Sequence, residues 1–175
     1  AHKAAGLPHP RSVVRPKAGR SFIVADLAAS HARICTQAAM DRVLIDVFGN
    51  GKDLHCVTAV GLLKLRGHNL EYDQVFAIYQ QYKKYQKALE KGLKPDPIPD
   101  ICFEVASTRA LSKNVYYGSI NIQGAPTLKK TGETGAEPVF MTLEVASEGI
   151  TAWRGLYCDT YAFQRRTIKE ANQHK

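Results

Sequence analysis

Residues 109–118 read RALSKNVYYG, and this stretch is the most informative in the chain. Arg109, Lys113 and Tyr117 are four positions apart, so a helix places them on one face. Arginine and lysine bind phosphate oxygens and an aromatic ring stacks on a base, so this face suits a triphosphate with a base beside it. A solvated basic face with a half-buried tyrosine accounts for the same pattern.

A second stretch, residues 21–34, reads SFIVADLAASHARI. The apolar run from Phe22 to Ala25 predicts a buried strand that ends at Asp26, and a helical pattern follows. A carboxylate at the end of a buried strand often binds a catalytic metal ion. It is also the position of a helix N-cap, where aspartate accepts the first free N–H groups, and by itself Asp26 is more simply explained as a cap.

The third stretch, residues 53–59, reads DLHCVTA. Asp53 is predicted to cap the helix that starts there, which places His55 in the first turn. Free N–H groups and the helix dipole favour an anion at such a terminus. An ordinary exposed histidine is the alternative interpretation.

Composition favours one domain of ordinary size. The 175 residues are 45% apolar, enough for a real core, and the net charge of +8 suits a polyanion, although many basic proteins bind none. The four cysteines form no C-x-x-C pair, so neither a zinc site nor a disulfide framework is indicated, and free thiols in a reducing compartment are expected. No apolar run reaches the roughly 18 residues of a membrane span and no signal-peptide core is present, so no membrane partner is expected. The first residue is alanine, so we expect a processed or trimmed chain, or a fragment.

Helical periodicity and turn residues predict the following helices: Asp26 to about Phe48, Asp53 to about Leu65, Tyr72 to Lys91, Cys102 to about Tyr117, 142–149, and Ile150 to about Asn172. Residues 1–20 are predicted to be extended, and residues 121–138, rich in Gly, Pro and Thr, a mobile loop. The tyrosines of the third helix are interpreted as a packing stripe, with phosphate or base contacts as the alternative.

The three stretches, in this order, resemble the motifs of the family A DNA polymerases, the group of DNA polymerase I and the phage replicases. The first motif of that family is an apolar strand followed by Asp-Tyr-Ser-Gln-x-Glu-x-Arg. Asp26 and Arg33 match it, whereas His31 stands at the position of the glutamate that excludes ribose.

The resemblance continues downstream and spans roughly residues 10–165. The family's Asp-Ile-His-Thr corresponds to residues 53–56, and Asp41, Leu44 and Phe48 match the approach to it. The second motif is Arg-x-x-x-Lys-x-x-x-(Phe/Tyr)-Gly, which is matched by Arg109, Lys113, Tyr117 and Gly118.

The resemblance implies an α+β fold that is predominantly helical, in which fingers-type helices are attached to a small piece of palm sheet. It implies a single fragment. Residues 1–30 would be part of the palm, and residues 31–175 a fingers-like helical region with an elaboration at about residues 70–100.

The function implied is that of a DNA-directed DNA polymerase. Asp26 would be the catalytic residue and, with the Leu27 carbonyl, would bind Mg²⁺ in a two-metal site. The residues that would bind the incoming dNTP are His31, His55, Arg109, Lys113 and Tyr117. The residues that would contact the DNA template-primer are Gly118 and Asn121.

The third family motif, a His-Asp-Glu turn with the second metal-binding aspartate, is absent from the sequence. We therefore expect the chain to be incomplete by itself, with the missing residues on another segment or another polypeptide. The expected location is the cytoplasm or nucleoid of a bacterial or phage-infected cell, or an organelle. Two alternatives stay open: a non-catalytic DNA- or nucleotide-binding protein derived from such a core, and an unrelated basic helical protein.

Overall fold

A computed structural model of the chain describes residues 17–21, 29–135 and 138–173. The chain divides into two compact units, Ala1–Ser30 and His31–Lys175. In the first unit, residues 17–21 contain a turn in which the Arg20 N–H donates to the Lys17 carbonyl at 3.0 Å. Gly19 has a φ of +75° there, a conformation that glycine adopts without steric cost.

Within the described ranges the chain forms eight α-helices and no strand. In chain order they are α1 (Ser30–Ala39), α2 (Arg42–Gly49), α3 (Leu54–Leu65), α4 (Tyr72–Glu90), α5 (Asp100–Ile120), α6 (Ala125–Thr134), α7 (Leu143–Leu156) and α8 (Cys158–Gln173). Helix α5 lies at the centre and packs against α3, α4, α6 and α7.

The expected α+β fold with a piece of palm sheet is wrong, because the described part of the chain is all-helical. The sheet was inferred from the resemblance and from one apolar run of four residues, 22–25, which lies outside the described residues. Elsewhere aspartate or threonine caps begin α2, α3 and α7, and such caps are local signals for helices and not for strands.

Two segments before the C-terminal helices differ from the sequence prediction. The single helix predicted up to Phe48 is divided into α1 and α2, because Met40 adopts a φ of +51° and Asp41 caps a new helix. The segment predicted as a mobile loop contains α6, which has Pro126 in its first turn. Proline fits there because the N–H groups of the first turn make no hydrogen bond within the helix, so the N–H that proline lacks is not needed.

The C-terminal pair of helices breaks at Tyr157 instead of near Gly149, which lies within α7. A Cβ atom at position 149 would lie 2.8 Å from Val115 Cγ2, so glycine permits α7 to cross α5 closely. The glycine that looked like a helix end is therefore a packing contact.

An aromatic cluster forms part of the core. Trp153, Tyr116 and Tyr157 are at most 1% exposed, and their ring centroids are 5.4–6.2 Å apart. The Tyr157 hydroxyl is 2.8 Å from the hydroxyl of Thr58 on α3, which satisfies both groups. Since buried aromatic rings contribute large apolar areas, this cluster fixes α3, α5 and α7 against one another.

No helix among the described residues is both long enough and apolar enough to cross a lipid bilayer.

Candidate functional site

The site begins at the N-terminus of α3, which is held from two sides. The Asp53 carboxylate accepts hydrogen bonds from the backbone N–H groups of His55 (2.9 Å) and Cys56 (3.0 Å). The Asp53 N–H donates to the hydroxyl of Tyr72, the first residue of α4, at 3.0 Å. The cap predicted at Asp53 is confirmed, and it orients the first turn of α3.

Arg109 reaches this cap from α5. Its Nη2 donates to Asp53 Oδ2 at 2.7 Å, and the two side chains are 20% and 23% exposed. The other side of the guanidinium faces the ring of Tyr79 on α4, 4.3 Å from the ring centroid. Three helices therefore meet at one arginine, which is bound by a carboxylate and a π face at once.

The Asp53–Arg109 pair keeps both of its side chains charged. Burial by itself would raise the pKa of Asp53, but the hydrogen bonds from Arg109 and from the Cys56 N–H hold that pKa below its usual value. Asp53 is therefore an anion at neutral pH, paired with a guanidinium that is always charged.

His55 lies in the first turn of α3, beside this pair. Burial, followed by the positive charges of Arg109 and Lys113, lowers its pKa to about 4, with Asp53 opposing the shift. The imidazole is thus neutral at pH 7. Its Nδ1 is buried and has no hydrogen-bond partner among the described residues. Its ring centroid is 5.7 Å from that of Tyr117.

The lowered pKa of His55 predicts a pH-dependent stability. Between pH 6.5 and about 4 the unfolded chain binds a proton at this residue that the folded chain does not bind, so stability falls as the pH falls. We expect the wild-type protein to lose about 2 kcal/mol more than His55→Gln between about pH 7 and pH 5 in urea denaturation. His31→Gln, an exposed substitution on α1, is the control and should behave as the wild type. Equal losses in all three proteins would contradict the assignment.

Four of the predicted dNTP-binding residues come together, although His55 and Arg109 are 54 positions apart in the sequence. His55, Arg109 and Tyr117 are linked by the contacts given above, and Lys113 is close enough for its charge to act on His55. Lys113 is exposed and Tyr117 is half-buried. His31 is exposed on the first turn of α1, and no hydrogen bond, ion pair or ring contact joins it to these four residues in the described structure.

The two predicted DNA-contact residues lie at the end of α5. Asn121 is the C-cap, and its side-chain amide donates to the Tyr117 carbonyl at 2.9 Å. Gly118 is buried, and a Cβ atom there would lie 2.6 Å from Leu128 Cδ1. The close approach at Gly118 is thus made by α6 of the same chain, and a DNA contact by either residue stays a prediction.

The predicted metal ligands, Asp26 and the Leu27 carbonyl, lie outside the described residues. Within the described part of the chain, no group of three or more His, Cys, Asp or Glu side chains is arranged to hold a metal ion. Catalysis by Asp26 and Mg²⁺ binding therefore stay predictions.

Two contributions to the site were missed in the sequence. Ser112 donates to the His55 carbonyl at 2.7 Å, which ties the first turn of α3 to α5. Tyr79 packs against the hydrophobic core, as the tyrosine stripe predicts, but its contact with the Arg109 guanidinium was not predicted. Ser112 lies within the α5 motif and Tyr79 on a tyrosine-rich helix, but no local pattern indicates their partners.

The arrangement combines a guanidinium, an ammonium, a neutral imidazole and an aromatic ring at the start of α3. The backbone N–H groups of His55 and Cys56, in the first turn of α3, already donate to Asp53. An anionic ligand would therefore bind the side chains, in competition with the Asp53 carboxylate for Arg109.

No family model, curated protein or solved structure matches the chain in comparisons with known proteins.

Proposed function

We propose that the chain is part of a DNA-directed DNA polymerase and that the start of α3, with the facing stripe of α5, binds the incoming dNTP. The observation that supports this proposal is the convergence of His55, Arg109, Lys113 and Tyr117, the residues that the sequence motifs also indicate.

Each residue has a role that its chemistry supports. Arg109 binds phosphate oxygens through two N–H groups, and Lys113 adds a point charge. His55 is neutral, so it supplies a hydrogen bond to a phosphate without a second buried cation. Tyr117 stacks against the base or sugar. Since phosphoryl transfer depends on positioning and charge neutralisation, these residues hold the triphosphate in place for reaction.

The remaining parts of the proposal rest on the resemblance to family A polymerases. Asp26 and the Leu27 carbonyl would bind Mg²⁺, which would neutralise phosphate charge and bring the reacting oxygens together. Gly118 and Asn121 would face the template-primer, and His31 would take the place of the ribose-excluding glutamate. Another segment or polypeptide would supply the second carboxylate, and the protein would act with DNA in the cytoplasm, nucleoid or an organelle.

The proposal is tested by nucleotide binding to the 175-residue chain. We expect dATP to bind more tightly than dAMP, because the cations recognise the triphosphate. Lys113→Gln should weaken dATP binding by roughly tenfold, the size of one charge-assisted interaction, and should leave dAMP binding nearly unchanged. Lys130→Gln, at an exposed lysine of α6, removes the same charge and should have no effect.

Equal affinities for dATP and dAMP, or equal effects of the two lysine substitutions, would count against a triphosphate site. Primer extension after addition of a polypeptide carrying the second carboxylate tests the catalytic part. Nucleotide binding without extension in that assembly would favour a non-catalytic role.

A further inference from the structure

Helix α4 continues the positive charge of the candidate site along the protein surface. Tyr79 faces the Arg109 guanidinium on α5. One turn further along α4, the Lys83 ammonium lies 6.0 Å from the centroid of the same ring. Two cations, Arg109 and Lys83, therefore lie beside the same ring of Tyr79, and they connect the site with the outer face of α4.

The outer face of α4 and its C-cap carry a cluster of exposed lysines, which we call the α4 lysine face: Lys83, Lys84 and Lys87 on the helix and Lys91 at the C-cap. At 3.6 residues per turn these four positions fall within an arc of roughly 100°, and they span about 12 Å along the axis. The opposite side of α4 packs on the core, with Val75 fully buried.

The sequence around this face supplies little negative charge. Glu90 is the only acidic residue between positions 79 and 94. No salt bridge in the described structure pairs any of the four lysines. Like charges three and four positions apart destabilise a helix. The helix dipole favours Lys87 and Lys91 near the C-terminus but does not account for Lys83 and Lys84 in the middle.

We infer that the α4 lysine face binds the sugar-phosphate backbone of DNA that leads to or from the candidate site. One lysine per about 4 Å of helix is comparable to the charge spacing of about 3.4 Å along one DNA strand. An anionic membrane fits less well, since the apolar side of α4, which a membrane would need, is packed on α3 and α5. The inference rests on the proposed function for the choice of DNA as the polyanion.

The test compares two variants with the same loss of charge. The first is K83Q/K84Q/K87Q/K91Q on the α4 lysine face. The second is K130Q/R165Q/R166Q/K169Q, at exposed cations of α6 and α8. Each lowers the formal net charge of +8 by four. Glutamine has nearly the same helix propensity as lysine and all eight side chains are exposed, so both variants should fold.

Binding of a fluorescein-labelled primer-template is measured by anisotropy between about 50 and 200 mM salt, where log K falls with log salt by about 0.9 per phosphate contacted. We expect the α4 variant to bind at least tenfold more weakly at the lower salt concentration. The slope of log K against log salt should become shallower by roughly 3 to 4. The control variant should lose less than one from the slope. A four-arginine version of the α4 face should restore binding.

Equal losses in the two variants would overturn the inference, because net charge and not α4 would then set the affinity. The inference would also be overturned if the α4 variant lost binding to phosphatidylserine vesicles while its DNA binding stayed unchanged. Titration with dATP separates this inference from the proposed function. The α4 variant should bind dATP as the wild type does, whereas Lys113→Gln should not.

Discussion

Replacing Asp41 by alanine should lower the free energy of unfolding by about 3–5 kcal/mol, the largest single effect that we expect on stability. Asp41 is 1% exposed, and Oδ1 accepts from the N–H groups of Val43 and Leu44 at 3.1 Å, which caps α2. Oδ2 accepts from the N–H (2.9 Å) and the hydroxyl (2.8 Å) of Thr160 on α8. Alanine would leave four donors without this acceptor, two of them on a buried threonine.

Urea denaturation of Asp41→Ala, Thr160→Val and the double variant measures the coupling between the two residues. The double variant should cost clearly less than the sum of the single substitutions, because each removes the same contact. Asp41→Asn should fall between wild type and Asp41→Ala, since asparagine still caps a helix but its amide N–H₂ cannot accept from Thr160. Asp96→Ala, at an exposed loop position, is the control. A cost below about 1 kcal/mol for Asp41→Ala would show that α8 is held by other contacts.

Local signals in the sequence were sufficient for α3 and α4. The predicted helix from Asp53 to about Leu65 is confirmed by a cap at Asp53, and the chain leaves the helix at Gly67, with a φ of +87°. Helix α4 begins at Tyr72 and ends before Gly92, with a φ of +72°. In both cases the signal and its structural effect lie within a few residues of each other.

The helix boundaries that the sequence did not predict depend on contacts between distant segments. The Asp41 cap at the break after Met40 is also hydrogen-bonded to Thr160, which lies on α8. Gly149 stays within α7 because that helix crosses Val115 closely. A periodicity argument contains neither partner, so it extends one helix through Asp41 and ends another at Gly149.

The candidate site shows the same division. The spacing of Arg109, Lys113 and Tyr117 predicts that they share a face of α5, which is a local property. The pairing of Arg109 with Asp53 spans 56 positions, and each residue already had a sufficient local interpretation, one as a ligand-binding cation and the other as a cap. The sequence therefore predicts that the three residues of α5 share a face, but it does not predict that Arg109 pairs with Asp53.

If the Asp53 carboxylate and a bound triphosphate compete for Arg109, a second prediction follows: Asp53→Asn and Arg109→Gln should change dATP binding in opposite directions. Asparagine caps a helix as well as aspartate does, so the first turn of α3 should persist. It does not hold Arg109 by charge, and the guanidinium becomes available to phosphate oxygens. We expect dATP to bind roughly tenfold more tightly to Asp53→Asn. Arg109→Gln should weaken binding ten- to a hundredfold, which corresponds to a hydrogen bond to a charged group.

Both substitutions should lower the free energy of unfolding, because each breaks the same half-buried ion pair. Opposite effects on dATP binding would therefore not result from a loss of folding. Titrations with dATP and Mg²⁺ at neutral pH measure the affinities, and urea denaturation measures the stabilities. Asp73→Asn removes an exposed carboxylate from the first turn of α4 and controls for net charge. If Asp53→Asn instead weakens dATP binding as much as Arg109→Gln does, Asp53 orients the guanidinium for the ligand, and the carboxylate is a positioning residue and not a competitor.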